Sequence, residues 1–231
     1  DFKVKSLDKC GKNWPISYEE LEPFYSKNEK IMGVSGLSGD PAYPSKIKNL
    51  LPPVNIGKSG ELIAKSFNKL GWHWWPSYSA IITSNKLKRK KFKKNAHYNM
   101  SYPYSSRSSV DNTYLQLIKK NKITIKENTR AIKITLENKR IANGVLCKNQ
   151  NNKKIFYKAK LIILACSGAG TPRLLLNSKN KYYPKGLANS SGMVGKNLML
   201  HPLGFVEGVF DKNLFSNIGP HGCNIYSHEF Y

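Results

Sequence analysis

Between residues 17 and 70 the apolar positions recur every three or four residues, whereas beyond Asp111 they recur every second residue. The first spacing is that of one face of a helix and the second that of one face of a strand. Leu21, Tyr25 and Met32, with Asn28, fall on one stripe; Ser17 and Glu20 form a capping-box pair ahead of them and Gly33 supplies a stop. Leu62, Ile63, Phe67 and Leu70 predict a second helix over 59–70, ended by Gly71. Between the two, SGDPAYP and LLPPVNIG favour extended or turn backbone and predict a long surface excursion over 36–57. The aromatic cluster GWHWWP at 71–76 is expected to pack as buried rings.

After a short helix at 113–119, the segments KITIK, TRAIKITL, RIANGVLC, KIFYKA and KLIILAC read as strands by their β-branched content and alternation. The polar separators are short, so antiparallel hairpins are predicted between Ile132 and Tyr157. Leu161 to Ala165 is apolar at every position, as a strand covered on both faces of a parallel sheet would be. It runs into Cys166-Ser167-Gly168-Ala169-Gly170-Thr171-Pro172, where small residues permit a tight turn, Thr171 is placed to cap a helix and Pro172 to open it. A strand, a small-residue turn and a helix start together form an anion-facing site in some α/β proteins and a purely structural unit in others.

Composition narrows the classes. With 231 residues, 40% hydrophobic and 11% aromatic, the chain can bury a core of one large or two small domains. No apolar run approaches the roughly 18 residues of a membrane-spanning helix, the best being 161–169, so no integral membrane segment is expected. The net charge of +24 raises nucleic acid as a partner, but only five of the 38 basic residues are arginine, the side chain that bidentate phosphate recognition favours. Abundant lysine with abundant asparagine is what an AT-rich coding sequence places at solvated positions. The run NKLKRKKFKKN at 85–95, followed by Tyr98, Tyr102 and Tyr104, reads as a solvated loop, with a basic nucleic-acid-binding module as the competing reading. The cysteines Cys10, Cys147, Cys166 and Cys223 are too far apart for a C-x-x-C pair, so neither a metal site nor a disulfide framework is indicated. Asn99-Met100-Ser101 and Asn189-Ser190-Ser191 match the glycosylation triplet, a match that is frequent by chance in an asparagine-rich chain. The chain opens on Asp1 with no leader pattern, which is expected of a processed chain or of one that starts mid-protein.

ILACSGAGTPRLLLNS resembles the second signature of the glucose-methanol-choline (GMC) oxidoreductases, and GLANSSGMVGKNLMLHP resembles their Val-Gly-x-Asn-Leu segment ending in His-Pro. WPISYEELEPFY is similar to the Trp-x-Tyr-Glu-x-Leu-x-Pro-Tyr-Tyr helix of the same proteins, and SSRSSVDNTYL with ITIKENTRAIKI to the stretch that leads into their adenine-side strand. The likeness covers nearly the whole chain and is closest to the bacterial sugar, gluconate and alcohol dehydrogenase branch.

The resemblance implies a mixed α/β fold: part of an FAD-binding Rossmann-like domain with an antiparallel β-meander over 111–200, a cap or substrate-side region over 1–110, and the start of a substrate-binding domain over 201–231. It implies oxidation of a CH–OH group of an alcohol or sugar to a carbonyl by hydride transfer to FAD, with a further electron acceptor downstream. By position, the backbone of Ala131 would meet the adenine, and Cys166, Ser167 and Gly168 would lie at the turn near the flavin diphosphate. The chain departs from the family pattern in having Ser167-Gly168 where Gly-Ala is usual, Lys179 where a glycine follows the serine, and the lysine run where relatives carry a cysteine-rich segment. No G-x-G-x-x-G follows a strand near the start, and the family's catalytic histidine would lie beyond Tyr231. His73, His97, His201, His221 and His228 are therefore not assigned as the base, and His201 of the His-Pro segment reads as structural. The expectation is an internal piece of a flavoenzyme, inactive alone; a truncated, non-functional gene product is the further alternative.

Overall fold

The Ser17 hydroxyl accepts the Glu20 N–H at 3.2 Å and the Glu20 carboxylate accepts the Ser17 N–H at 2.7 Å, closing the capping box the sequence announces. In this computed structural model, which describes residues 2–44, 50–85, 89, 91, 106–121, 123–215 and 225–230, the chain divides into two compact units. Unit 1 is Asp1–Ile123 with Gly208–Tyr231, and unit 2 is Thr124–Glu207.

Unit 1 carries α1 (Val4–Asp8), α2 (Tyr18–Met32), α3 (Gly57–Leu70), β1 (Trp75–Pro76), α4 (Tyr114–Lys120) and, from the far end of the chain, β5 (Ile225–Tyr226). α2 and α3 each end on a glycine in the left-handed region, Gly33 and Gly71, both with φ +69°. The buried residues of α3 are Gly60 and Ala64, and the expected apolar stripe is only partly covered, with Leu62, Ile63 and Leu70 exposed. Close approach selects the small residues: a Cβ on Gly60 would stand 2.8 Å from Ile56 Cβ and 3.6 Å from Ile225 Cγ2. The proline-rich stretch is likewise not all surface. Leu51 and Val54 are buried, and Ser35 binds Ser79 in both directions while Leu51 N–H donates to Val34 O. Around these bonds lies the centre of unit 1, where Ile82 is fully buried. β1 pairs antiparallel with β5, Trp75 opposite Tyr226, so the aromatic cluster is partly covered.

Unit 2 is built on β2 (Arg130–Leu136), β3 (Ala142–Lys148) and β4 (Lys154–Lys158), an antiparallel meander in the order β2-β3-β4. Its two turns are set by asparagines. Asn138 Oδ1 accepts the N–H groups of Arg140 and Ile141, and Asn149 Oδ1 accepts that of Lys153. α5 (Ser167–Asn177) lies on β2, where Leu174, Ile134 and Leu187 form the buried cluster.

Three expectations are corrected. Residues 123–126 form no strand, and Ile123 and Ile125 are exposed. Leu161 to Ala165 forms none either, because no described segment offers it hydrogen bonds; Ile162 and Leu164 pack on the unit 2 cluster, whereas Leu161 and Ile163 are 78% and 80% exposed. The helix begins at Ser167 with Cys166 as its N-cap, not at Pro172 with Thr171 as its cap, and both Thr171 and Pro172 fall inside it. Residues 86–88, 90 and 92–105 of the lysine run and its tyrosines lie outside the described residues.

Candidate functional site

The four residues expected at a cofactor lie in unit 2, on two elements that pack together. Cys166 is the N-cap of α5, and Ser167 and Gly168 open its first turn; all three are exposed. Thr171 serves this turn in a way the sequence did not suggest, its Oγ1 accepting the Cys166 N–H at 3.2 Å from within the helix. The next N–H groups, of Ser167, Gly168 and Ala169, have no partner in the helix, as in every helix first turn. No side chain caps them and no acidic residue stands in the first turn. A Cβ placed on Gly168 would meet nothing within 4 Å. The turn is thus open and positively polarised at the end of an 11-residue helix.

Ser167 adopts φ +64°, a left-handed conformation that costs a residue with a Cβ about 1–2 kcal/mol and that glycine reaches freely. Ser167→Gly is expected to stabilise unit 2 by about 0.5–1 kcal/mol, after the extra entropy glycine loses on folding. A higher urea midpoint at unchanged slope is the readout; an unchanged or lower midpoint would contradict it.

Ala131 is exposed on β2, opposite Cys147, and the register with β3 shifts between Ala131 and Lys133. Such a bulge takes backbone groups out of the regular ladder and turns them toward other partners. β2 meets the far end of α5. There the buried Ser178 accepts the Ile134 N–H at 2.9 Å and donates to Leu174 O at 2.6 Å.

Unit 1 contains a second cluster. The Asp40 side chain is fully buried. Its Oδ1 accepts from Ala42 N–H at 2.9 Å and from His73 Nε2 at 2.9 Å, and its Oδ2 from Tyr226 OH at 2.8 Å. His73 Nδ1 accepts the His228 N–H at 3.2 Å, which assigns the ring proton to Nε2. Burial works against the Asp40 carboxylate, but the donors from Ala42, Tyr226 and His73 outweigh it and hold its pKa below the ordinary value. Burial, together with the Asp40 carboxylate it faces, pushes the Tyr226 hydroxyl up. The His228 ring stands edge-on to Tyr43 and Tyr226 at 4.9 Å from each. It also lines a hollow of about 380 Å³ with Phe67, Trp72, Ser227 and Phe230.

Of the histidines, His73 and His228 meet in this cluster, His201 is exposed, and His97 and His221 lie outside the described residues. Nothing in the sequence could have announced the cluster, because Asp40 and Tyr226 are 186 residues apart. Asn189, the first residue of one glycosylation triplet, is buried; its amide donates to Lys185 O at 2.9 Å and its Oδ1 accepts the Val194 N–H at 3.1 Å. Among the described residues no group of three or more His, Cys, Asp or Glu is arranged for a metal, and no helix is long and apolar enough to cross a membrane.

The family model for GMC oxidoreductases matches residues 60–203. A 2-methyl-1,2-propanediol dehydrogenase of Mycolicibacterium austroafricanum is 38% identical over 221 residues, covering 95% of this chain and 40% of that protein. The fructose dehydrogenase large subunit of Gluconobacter japonicus is 30% identical over 207 residues, 87% of this chain and 38% of its own length. The gluconate 2-dehydrogenase flavoprotein of Pantoea cypripedii is 25% identical over 240 residues, 93% and 39% of the two chains. The chain spans about 40% of the length of these relatives.

Proposed function

From the premise that this chain belongs to the GMC oxidoreductase family, we propose that it is an internal part of an FAD-dependent enzyme that oxidises a CH–OH group of an alcohol or sugar to a carbonyl. The family match across 60–203, which takes in both β2 and the turn into α5, is the observation that carries this reading. The names of the relatives, dehydrogenases of a diol, of fructose and of gluconate, support the substrate class.

The residues present fit the cofactor. The uncapped first turn of α5, free of acidic side chains, suits a diphosphate, which its N–H groups at Ser167, Gly168 and Ala169 would hold. Gly168 leaves room for the close approach of a phosphate oxygen. The backbone of Ala131, an exposed residue at the β2 bulge, would meet the adenine. FAD, when bound, supplies the hydride acceptor, and this chain's part is binding and orientation. Residues 111–200 are assigned to the FAD-binding domain, and 1–110 with 201–231 to the substrate side. No residue of the chain is assigned as the base that removes the alcohol proton.

The test is to express the gene product with whatever coding sequence flanks these 231 codons, record its absorption spectrum, and add alcohols, polyols and sugars without oxygen. A flavin spectrum bleached by at least one of them is expected. A product without flavin, or one whose flavin no such compound reduces, would sink the proposal. Binding of single-stranded DNA with a steep salt dependence would replace it with the nucleic-acid reading.

A further inference from the structure

Residues 225–230 are held in unit 1 by little regular structure, since β5 is two residues long and pairs only with Trp75 and Pro76. His73 carries three further bonds at this place. Its backbone N–H donates to Glu229 Oε2 at 2.6 Å, its Nδ1 accepts the His228 N–H at 3.2 Å, and its Nε2 donates to Asp40 Oδ1 at 2.9 Å. One imidazole thus joins Asp40, 33 residues before it, to the main chain of His228, 155 residues after it. Only the neutral ring with its proton on Nε2 can make both bonds. An imidazolium carries N–H on both nitrogens. Protonation therefore sets a donor against the His228 N–H, while the bond to the Asp40 carboxylate becomes charge-assisted and strengthens. The side chain is 18% exposed, so a proton reaches it without unfolding of the unit.

We propose that His73 is a proton-operated latch: neutral, it holds residues 227–230 against the turn at 71–76; protonated, it keeps Asp40 and releases the main chain of His228. Release reshapes the hollow beside Trp72, because Ser227, His228 and Phe230 supply three of its five lining residues. Histidine is the side chain whose charge changes between about pH 5 and 8. Around His73, Asp40 stays ionised over that range, its donors holding it below the ordinary carboxylate value, and burial pushes the Tyr78 and Tyr226 hydroxyls up, so both stay neutral. The Asp40 and Glu229 carboxylates favour the charged ring, and the His228 N–H favours the neutral one. On acidification one tie tightens as the other is lost, so the expected response is local to 227–230 and not an unfolding of unit 1. The other imidazole of the cluster, His228, has its ring centre 6.2 Å from that of His73 and edge-on contacts to Tyr43 and Tyr226.

The test follows amide exchange of residues 225–230 by mass spectrometry, in the protein expressed with whatever coding sequence flanks these 231 codons, between about pH 8 and about pH 5. After correction for the intrinsic pH dependence of exchange, protection of this segment is expected to fall at least about tenfold, with the Ser35 and Ser79 amides as protected as before. His73→Asn places an oxygen acceptor where Nδ1 stands and does not titrate, so the segment should stay protected throughout. His73→Gln keeps a donor toward Asp40 without that acceptor, and the segment should be open throughout. His228→Phe retains the backbone N–H and a ring against Tyr43 and Tyr226, and the pH response should survive it. Flat protection in the wild type, the same fall in His73→Asn, loss of the fall in His228→Phe, or loss of protection across all of unit 1 would each overturn the latch. The flavin reading stands or falls separately, on the absorption spectrum.

Discussion

Asp40→Ala is expected to lower the stability of unit 1 by about 3 kcal/mol. The substitution leaves the Ala42 N–H, His73 Nε2 and Tyr226 OH without the acceptor they share, in a place where the carboxylate itself is fully buried. Each unsatisfied buried donor costs about 1–3 kcal/mol, and the partial exposure of His73 recovers some of that through water. Tyr226 anchors β5 and His73 receives the His228 N–H, so the loss is also expected to release residues 225–229. Trp14, Trp72, Trp74 and Trp75 are the four tryptophans and all lie in unit 1, so urea unfolding followed by tryptophan fluorescence reports this unit. A midpoint unchanged from wild type would show the cluster to be incidental.

Acid adds a second test of the same residue. The folded-state pKa of Asp40 lies below its ordinary value, so its stabilising contribution is complete above about pH 4 and is lost as the pH falls through the folded value. Asp40→Asn keeps the shape and one acceptor oxygen but cannot titrate. The stability gap between wild type and Asp40→Asn should therefore be widest near neutrality and narrow on acidification below pH ~4. A gap that stays constant down to acid unfolding would mean that the carboxylate's charge plays no part.

Ser178→Ala is expected to destabilise unit 2 by about 2–4 kcal/mol. Ser178 is fully buried, and its single hydroxyl serves the Ile134 N–H of β2 and the Leu174 carbonyl of α5 at once. Alanine leaves both groups buried and unpaired, and it cuts the polar link between the helix and the strand it covers. Unit 2 has no tryptophan, so the effect is read from exchange of the Ile134 amide, expected to speed by at least about 30-fold, and from far-UV circular dichroism in urea. The neighbouring Lys179 is exposed, and Lys179→Ala is expected to change stability by under about 0.5 kcal/mol. If the two substitutions had equal effects, the hydroxyl would not be the link.

The features readable from the sequence are those whose hydrogen bonds close within a few residues. The Ser17–Glu20 capping box and the Asn138 and Asn149 turns depend on side chains three or four positions from the groups they satisfy, and the left-handed stops at Gly33 and Gly71 on backbone N–H groups that reach back three or four positions. The β2–β4 meander follows from those turns, because a short turn leaves neighbouring strands no option but to pair antiparallel. The family was also legible, since its motifs are runs of contiguous residues such as GAGTPRLLLNS.

Other features required the chain to be folded. Periodicity marked Leu62, Ile63 and Leu70 as the face of α3, but the residues it buries are Gly60, where Ile56 and Ile225 approach closely, and Ala64. A small-residue turn was visible at 166–170, yet the reach of Thr171 back to Cys166 and the left-handed Ser167 were not, because they depend on where the helix starts. Asp40, His73, Tyr226 and His228 became a cluster only when distant parts of the chain met. Leu161 to Ala165 marks the boundary between the two kinds of information. Its composition sets it up for burial on both faces, but a strand exists through a partner's hydrogen bonds, and in this chain the tertiary structure supplies a core for one face and no partner among the described residues for its backbone.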